Sequence, residues 1–147
     1  MSTIPAARWV LVRLSLLVLA AFELTLGVWT TFFPENFYNE VPTVDWTPPY
    51  SEHLFRDFGG ATLGLGVMLA AATIWMERRL VLVALVAYLA FAVPHSLFHL
   101  EHLHGDSVTW SRVLEGYSYV SVIWPLAVLA LAWKPSVTSR RPSDRTP

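Results

Sequence analysis

The stretch that decides the fold is Trp9 to Phe33, WVLVRLSLLVLAAFELTLGVWTTFF. It is apolar around most of its circumference, with no polar stripe of the kind a water-facing helix carries. It is also long enough to cross a bilayer core, which takes about 20 residues as a helix. Three further runs share this character: His53 to Trp75, Leu80 to His104, and about Tyr117 to Trp133. None keeps a sustained period-two alternation, so strands are excluded. Arg8 and Arg13 ahead of LSLLVLAAF resemble a signal peptide. The apolar run continues to Phe33, however, and no A-x-A cleavage site follows it. The expected fold is therefore all-α, a four-transmembrane-helix antiparallel bundle. Its spans are about 7–33, 53–75, 80–104 and 117–133, within a membrane domain at 1–134. The polar, Pro-rich tail 135–147 is expected to be disordered and cytoplasmic.

Composition agrees with this class. Of 147 residues, 54% are hydrophobic and only 14% charged, with a net charge of −1. A chain so balanced lacks the basic excess of a nucleic-acid binder. It contains no cysteine, which excludes disulfides, thiolate metal sites and cysteine nucleophiles. The expected surroundings are the lipid bilayer, with a homo-oligomer or a membrane complex as further partners.

Basic residues set the orientation. Arg8, Arg13, Arg78, Arg79, Lys134, Arg140, Arg141 and Arg145 fall on one side of the four-span layout, and only Arg56 and Arg112 on the other. By the positive-inside rule both termini are cytoplasmic, in a bacterial-type inner or plasma membrane. Glu35, Glu40, Asp45, Glu52, Asp57, Glu101, Asp106 and Glu115 make the outer side anionic. The tetrapeptide Met76 to Arg79 is short enough to make spans two and three antiparallel neighbours. The first outer loop, Pro34 to Glu52, holds Pro34, Pro42, Pro48 and Pro49 among Phe37, Tyr38, Trp46 and Tyr50. It reads as an extended, ordered cap with aromatic rings at headgroup level. The second outer loop, Gly105 to Gly116, is expected to hold a short interfacial helix.

Ionisable residues inside a span are costly and mark function by default. Glu23 lies roughly 15 Å below Phe33 along its helix, near mid-membrane. It shares a face with Ala20, Gly27 and Thr30, which should point into the bundle. A purely structural reading makes Glu23 a hydrogen-bonded tie between helices. In the third span His95, His99 and His102 recur at i, i+4, i+7 on one stripe, and Pro94 precedes it. The plainer reading of His102 and His104 is a wet helix end near the interface. In the second span His53, Asp57, Gly60 and Gly64 align, with Arg56 beside them. Gly60 and Gly64 form a G-x-x-x-G surface suited to close approach of the Glu23 face. Tyr117, Ser121 and Trp124 offer a polar wall on the fourth span.

Together these residues predict an outward-opening polar pocket in an apolar bundle. Glu23, Asp57, His95 and His99 are the candidate catalytic acids and bases. Arg56, Tyr117, Ser121 and Trp124 are the candidate ligand contacts. Glu23 and His95, at equal depth, are expected to share a proton. The ligand is a largely apolar small molecule, quinone- or lipid-like, to be bound or processed by acid–base chemistry. A non-catalytic accessory subunit, in which the polar cluster fixes helix register, is the second reading. The third is a metal site at His95, His99 and His102, ligand types that suit zinc, iron or copper. A proton-coupled transporter is the fourth, and four spans would serve it only as a dimer.

The second-span string Arg56-Asp57-Phe58-Gly59-Gly60-Ala61-Thr62-Leu63-Gly64-Leu65-Gly66 resembles the R-x-x-G-G-x-x-L-G-L-G pattern of DoxX-like small membrane proteins. The four-span layout with a long first outer loop is similar too. The resemblance implies a four-helix membrane bundle, and some such proteins are linked to quinone-coupled redox systems. It implies no catalytic residue, and the His-rich stretch Pro94 to His104 lies outside its pattern.

The orientation is testable with fusions. A periplasmic reporter joined after Pro147 should be inactive, and one inserted near Thr43 active. The reverse pattern would turn the molecule over.

Overall fold

The computed structural model describes residues 4–46, 49–103, 105 and 107–133. The expectations for His104, for Asp106 and for the tail fall outside them. Five helices and no strand occur among the described residues: α1 (Ile4–Phe32), α2 (Pro34–Glu40), α3 (Glu52–Trp75), α4 (Arg78–Glu101) and α5 (Val108–Trp133). A 3-10 turn, Val44–Trp46, follows α2. Four of the helices, α1, α3, α4 and α5, are long and apolar enough to cross a membrane. They leave Val10, Leu14, Leu17, Val67, Ile74, Val83 and Ile123 more than half exposed, a surface suited to lipid rather than water.

Local chemistry sets the helix ends. Phe33, forced from helical geometry by the proline that follows, takes φ −134 and ψ 52. Pro34 then opens α2, where its missing N–H costs nothing. The segment Pro34 to Glu52, expected to be extended, is therefore helical at its start. Ser51 caps α3 by accepting from the Leu54 N–H at 3.4 Å. Met76 ends α3 in the left-handed region, and α4 starts two residues later. The fourth span begins earlier than its apolar run, at Val108 rather than near Tyr117. The reason is a polar start that reads like a loop. Ser107 accepts from the Trp110 N–H, and Ser111 donates to the carbonyls of Leu103 and Ser107. The expected short interfacial helix is thus the first turns of α5.

The closest helix pair is α1 with α3, although the short 76–77 connection joins α3 to α4; α4 in turn packs chiefly on α5. Glycine makes the first contact. A Cβ on Gly27 would lie 2.6 Å from the Leu63 nitrogen, and one on Gly66 2.9 Å from the Leu24 nitrogen. Gly59 sits against Thr30 and Thr31. Thr62, between these glycines on the same stripe, is fully buried. A Cβ on Gly60 or Gly64 would meet nothing within 4 Å, so the expected G-x-x-x-G contact is corrected. The partner helix is α1 as expected, but the packing glycines are Gly59 and Gly66. These two share the buried stripe with Thr62, whereas Gly60 and Gly64 lie roughly 100° to 160° around the helix from the residues of that stripe. On the other side, Ala20, Glu23 and Thr30 are at most 3% exposed and Gly27 is buried, so that face of α1 does point inward.

The remaining joints are polar and few. The hydroxyls of Ser96 and Ser121 meet at 2.9 Å between α4 and α5. Trp124 Nε1 donates to Ser15 Oγ at 3.2 Å, tying α5 to α1. Arg78 donates to the carbonyls of Ala132 and Trp133 at the end of α5. Val12, Leu16, Leu69, Val81, Leu85 and Ala132 close that half of the bundle with no exposure at all.

Replacing Gly59 or Gly66 by leucine should force α1 and α3 apart and cost about 2 kcal/mol or more, as overpacked interiors do. The same change at Gly60 or Gly64 should stay within about 0.5 kcal/mol, as at ordinary surface sites. Thermal unfolding in detergent separates the two pairs.

Candidate functional site

The half of the bundle opposite the Val12–Leu16–Val81 core is hollow. A cavity of about 560 Å³ lies between all five helices. Phe22, Leu26 and Trp29 of α1 wall one side, three residues that recur every turn. Leu54, Phe55 and Phe58 of α3 and Trp110, Val113 and Leu114 of α5 wall the others. Val41, Pro42 and Thr43, between α2 and the 3-10 turn, and Val44, which opens that turn, supply the roof.

The roof is held by aromatic contacts. Phe37 meets Trp29 edge-on at 5.3 Å and Phe55 at 6.0 Å. Tyr38 and Tyr50 pack on Phe55 at 5.7 and 5.9 Å. Asn36 accepts from Trp29 Nε1 at 2.8 Å. Trp46 lies so close to Gly105 that no Cβ could be placed there, which docks the α2–α3 connection onto the α4–α5 connection. Thr43 has φ 83, a left-handed backbone that a β-branched residue adopts only under constraint.

Against these apolar walls the polar groups are few. His95 and His99 both line the cavity, their rings 4.5 Å apart and nearly perpendicular. His95 stacks on Phe91 at 5.2 Å and lies 5.9 Å from Phe58. Tyr117 lines the cavity from α5, with its ring 5.8 Å from Phe22. Neither the His95 nor the His99 ring makes a hydrogen bond among the described residues. An imidazole nitrogen pair in an apolar chamber can accept from or donate to a polar end group, according to tautomer.

The other expected site residues lie elsewhere. Arg56 does not reach the cavity. It pairs with Glu52 at 2.9 Å and donates to the Thr31 carbonyl at 2.6 Å, bridging the ends of α3 and α1. Asp57 is exposed and sits 3.4 Å from His53. Ser121 and Trp124 belong to the interhelical joints with Ser96 and Ser15. His102, at the end of α4, turns back so that Nδ1 meets the Phe98 carbonyl at 2.7 Å and its ring stacks on Phe98 at 4.1 Å. It does not join His95 and His99 around a common point. Among the described residues no group of three or more His, Asp or Glu is gathered as a metal centre requires.

Glu23 is 2% exposed, and its Oε2 has no hydrogen-bond partner among the described residues. The expected pairing of Glu23 with His95 is not formed: the ion pairs among the described residues are His53–Asp57 and Arg56–Glu52. The physical reason is direction. Glu23 is buried and does not line the cavity, whereas His95 lies on the cavity wall against Phe91. Sequence reading missed Phe22, Trp29, Phe55 and Trp110 as cavity residues. Their only signal was helical recurrence, and lipid-facing aromatics recur in the same way.

Because Arg56 holds a carbonyl rather than a ligand, Arg56→Ala should cost stability and spare the cavity. A charge-assisted bond that is half exposed is worth about 1 kcal/mol. Unfolding in detergent should shift accordingly, with the content of bound small molecules unchanged. Comparison of the chain with family models, with curated proteins and with solved structures finds no match in any of the three.

Proposed function

We propose that the protein is a small integral membrane protein that binds a largely apolar, quinone- or lipid-like molecule in its cavity. The observation that carries this reading is the cavity itself. Its volume, about 560 Å³, falls within the ~300–1,000 Å³ of sites for small organic ligands. Its walls are nearly all aromatic and aliphatic, and His95 and His99 of α4 and Tyr117 of α5 bring polar groups to it. That combination suits a flat or chain-like apolar body with one polar end. The two imidazoles supply hydrogen bonding to that end and, if the ligand is processed, its proton exchange.

The orientation that fits is an antiparallel bundle with both termini cytoplasmic, which turns the cavity to the outer side of a bacterial-type inner membrane. The basic residues of the sequence support it. Kinship with the DoxX-like proteins is consistent with the second-span string and with the glycines of that string that pack on α1. An accessory subunit is the second reading. It is favoured by the exposed ion pairs Arg56–Glu52 and His53–Asp57, which leave charged groups at the same end of the bundle for a protein partner.

The test is to purify the full chain in mild detergent and identify extracted small molecules by mass spectrometry. An apolar molecule retained by the wild type should be lost from Leu26→Trp, because the indole occupies the chamber. Folding should be retained, since the added volume enters empty space rather than packed core. Equal retention by both proteins would place the molecule on the lipid-facing surface and overturn the reading. A stoichiometric protein partner with no small molecule would favour the accessory subunit.

A further inference from the structure

Two sets of residues at a spacing of seven face each other where α1 meets α5. On α1 they are Ser15, Phe22 and Trp29; on α5 they are Trp124, Tyr117 and Trp110. Seven residues make nearly two turns, so each set keeps to one side of its helix. The first two rungs of this ladder are closed. Trp124 Nε1 donates to Ser15 Oγ at 3.2 Å, and the rings of Phe22 and Tyr117 lie 5.8 Å apart. The third rung is open. Trp29 is held at the roof instead, donating to Asn36 Oδ1 at 2.8 Å and meeting Phe37 edge-on at 5.3 Å. Past Phe22 and Tyr117, no hydrogen bond or ring contact joins α1 to α5 among the described residues.

The cavity comes to the surface at this gap. Thr25, Trp110, Val113 and Tyr117 border the cavity, and all four are exposed. Outside the gap a groove runs over α1 along Leu24, Thr25, Val28, Trp29 and Phe33. From Leu24 to Phe33 it follows the helix for roughly 13 Å. Thr25 and Trp29 border both spaces, so cavity and groove adjoin across one edge of α1. The polar groups at that crossing are already bonded: Thr25 Oγ1 donates to the Ala21 carbonyl at 2.8 Å, and the Trp29 indole to Asn36. The crossing therefore suits hydrocarbon. The other walls are better closed. Between α3 and α4, Phe58 lies 5.8 Å from Phe91 and 5.9 Å from His95, and of the α3 wall only Leu54 is exposed. His95 and His99 sit on α4, which does not pack on α1, so the cavity lies between them and the gap.

We propose that the open rung is a portal to the membrane, and that the cavity takes an amphiphile with one polar head and a long hydrocarbon chain. The head lies at His95 and His99. The chain leaves between Thr25 and Val113 and lies in the groove on α1. A chamber of about 560 Å³ suits a drug-sized body, so a longer chain has to leave it. This proposal rests on the binding reading and adds the class of ligand and its route, which is from the lipid rather than from water.

Photolabelling tests it. The full chain is placed in vesicles of phosphatidylethanolamine and phosphatidylglycerol. Two probes, decylubiquinone and lysophosphatidylcholine, carry a diazirine at the far end of the chain. Adducts are mapped by peptide mass spectrometry, with and without an excess of the matching chain-free head, the parent quinone or glycerophosphocholine. The protein has no cysteine for a quinone to alkylate. Adducts that the competitor removes are expected on Leu24, Val28 and Phe33, and the probe that gives them tells a quinone from a lipid. Thr25→Trp, which narrows the portal, should lose these adducts and still bind the chain-free head. Leu26→Trp, which fills the chamber, should lose both. Should a variant fail to fold, the wild-type map decides alone. Competitor-sensitive adducts confined to the chamber, or lying beside Leu54 between α3 and α4, would overturn the portal and leave the binding reading standing. No competitor-sensitive adduct anywhere would overturn both.

Discussion

Everything in this molecule depends on how closely α1 and α3 approach. Lipid tails are as apolar as leucine, so burial alone does not drive helices together in a membrane. Association needs dense contact, and Gly27, Gly59 and Gly66 provide it by letting backbone meet backbone. Thr30 and Thr62 fill the seam and return their hydroxyls to their own helices, while the Thr31 hydroxyl, packed at Gly59, has no partner among the described residues. Other residues at the three glycine positions would separate the pair.

The cavity follows from that arrangement. The end of the bundle around Val12, Leu16, Leu69 and Val81 is filled by small and branched side chains. The other end is bordered by rings: Phe22, Trp29, Phe55, Phe58 and Trp110. These rings border the space without filling it. The α2 segment then roofs this space, seated by Phe37 on Trp29 and Phe55. Thr43, strained in the roof, and Trp46, docked on Gly105, show that the roof is held in one place rather than draped.

The spans were legible because hydrophobic length is a physical requirement of the bilayer, and it is written in consecutive residues. So was the inward face of Ala20, Glu23, Gly27 and Thr30, since a lone acid and small residues have no place against lipid. The choice between Gly59/Gly66 and Gly60/Gly64 was not legible. Both pairs lie in one glycine-rich run, and only the rotation of α3 about its axis selects between them. Arg56 and Asp57 read as pocket residues for the same reason: the turn that carries them faces outward, and each finds a local partner, Glu52 or His53. His102 shared a stripe with His95 and His99 on an ideal helix, but the helix ends there and the ring folds onto Phe98. The polar opening of α5 concealed Trp110, because Ser107 and Ser111 look like loop until their capping bonds are seen.

The most direct measurement of the central claim is the α1–α3 contact in a lipid bilayer. Solid-state NMR of the full chain, isotope-labelled at glycine, leucine and threonine, reads it through short-range cross peaks. The account predicts cross peaks from Gly59 to Thr30 and Thr31, and from Gly66 to Leu24, with Gly60 and Gly64 showing none to α1. Cross peaks from Gly60 or Gly64 to α1, with Gly59 and Gly66 silent, would contradict it. They would mean that α3 is turned about its axis, and the cavity with its two histidines would then lack its α3 wall.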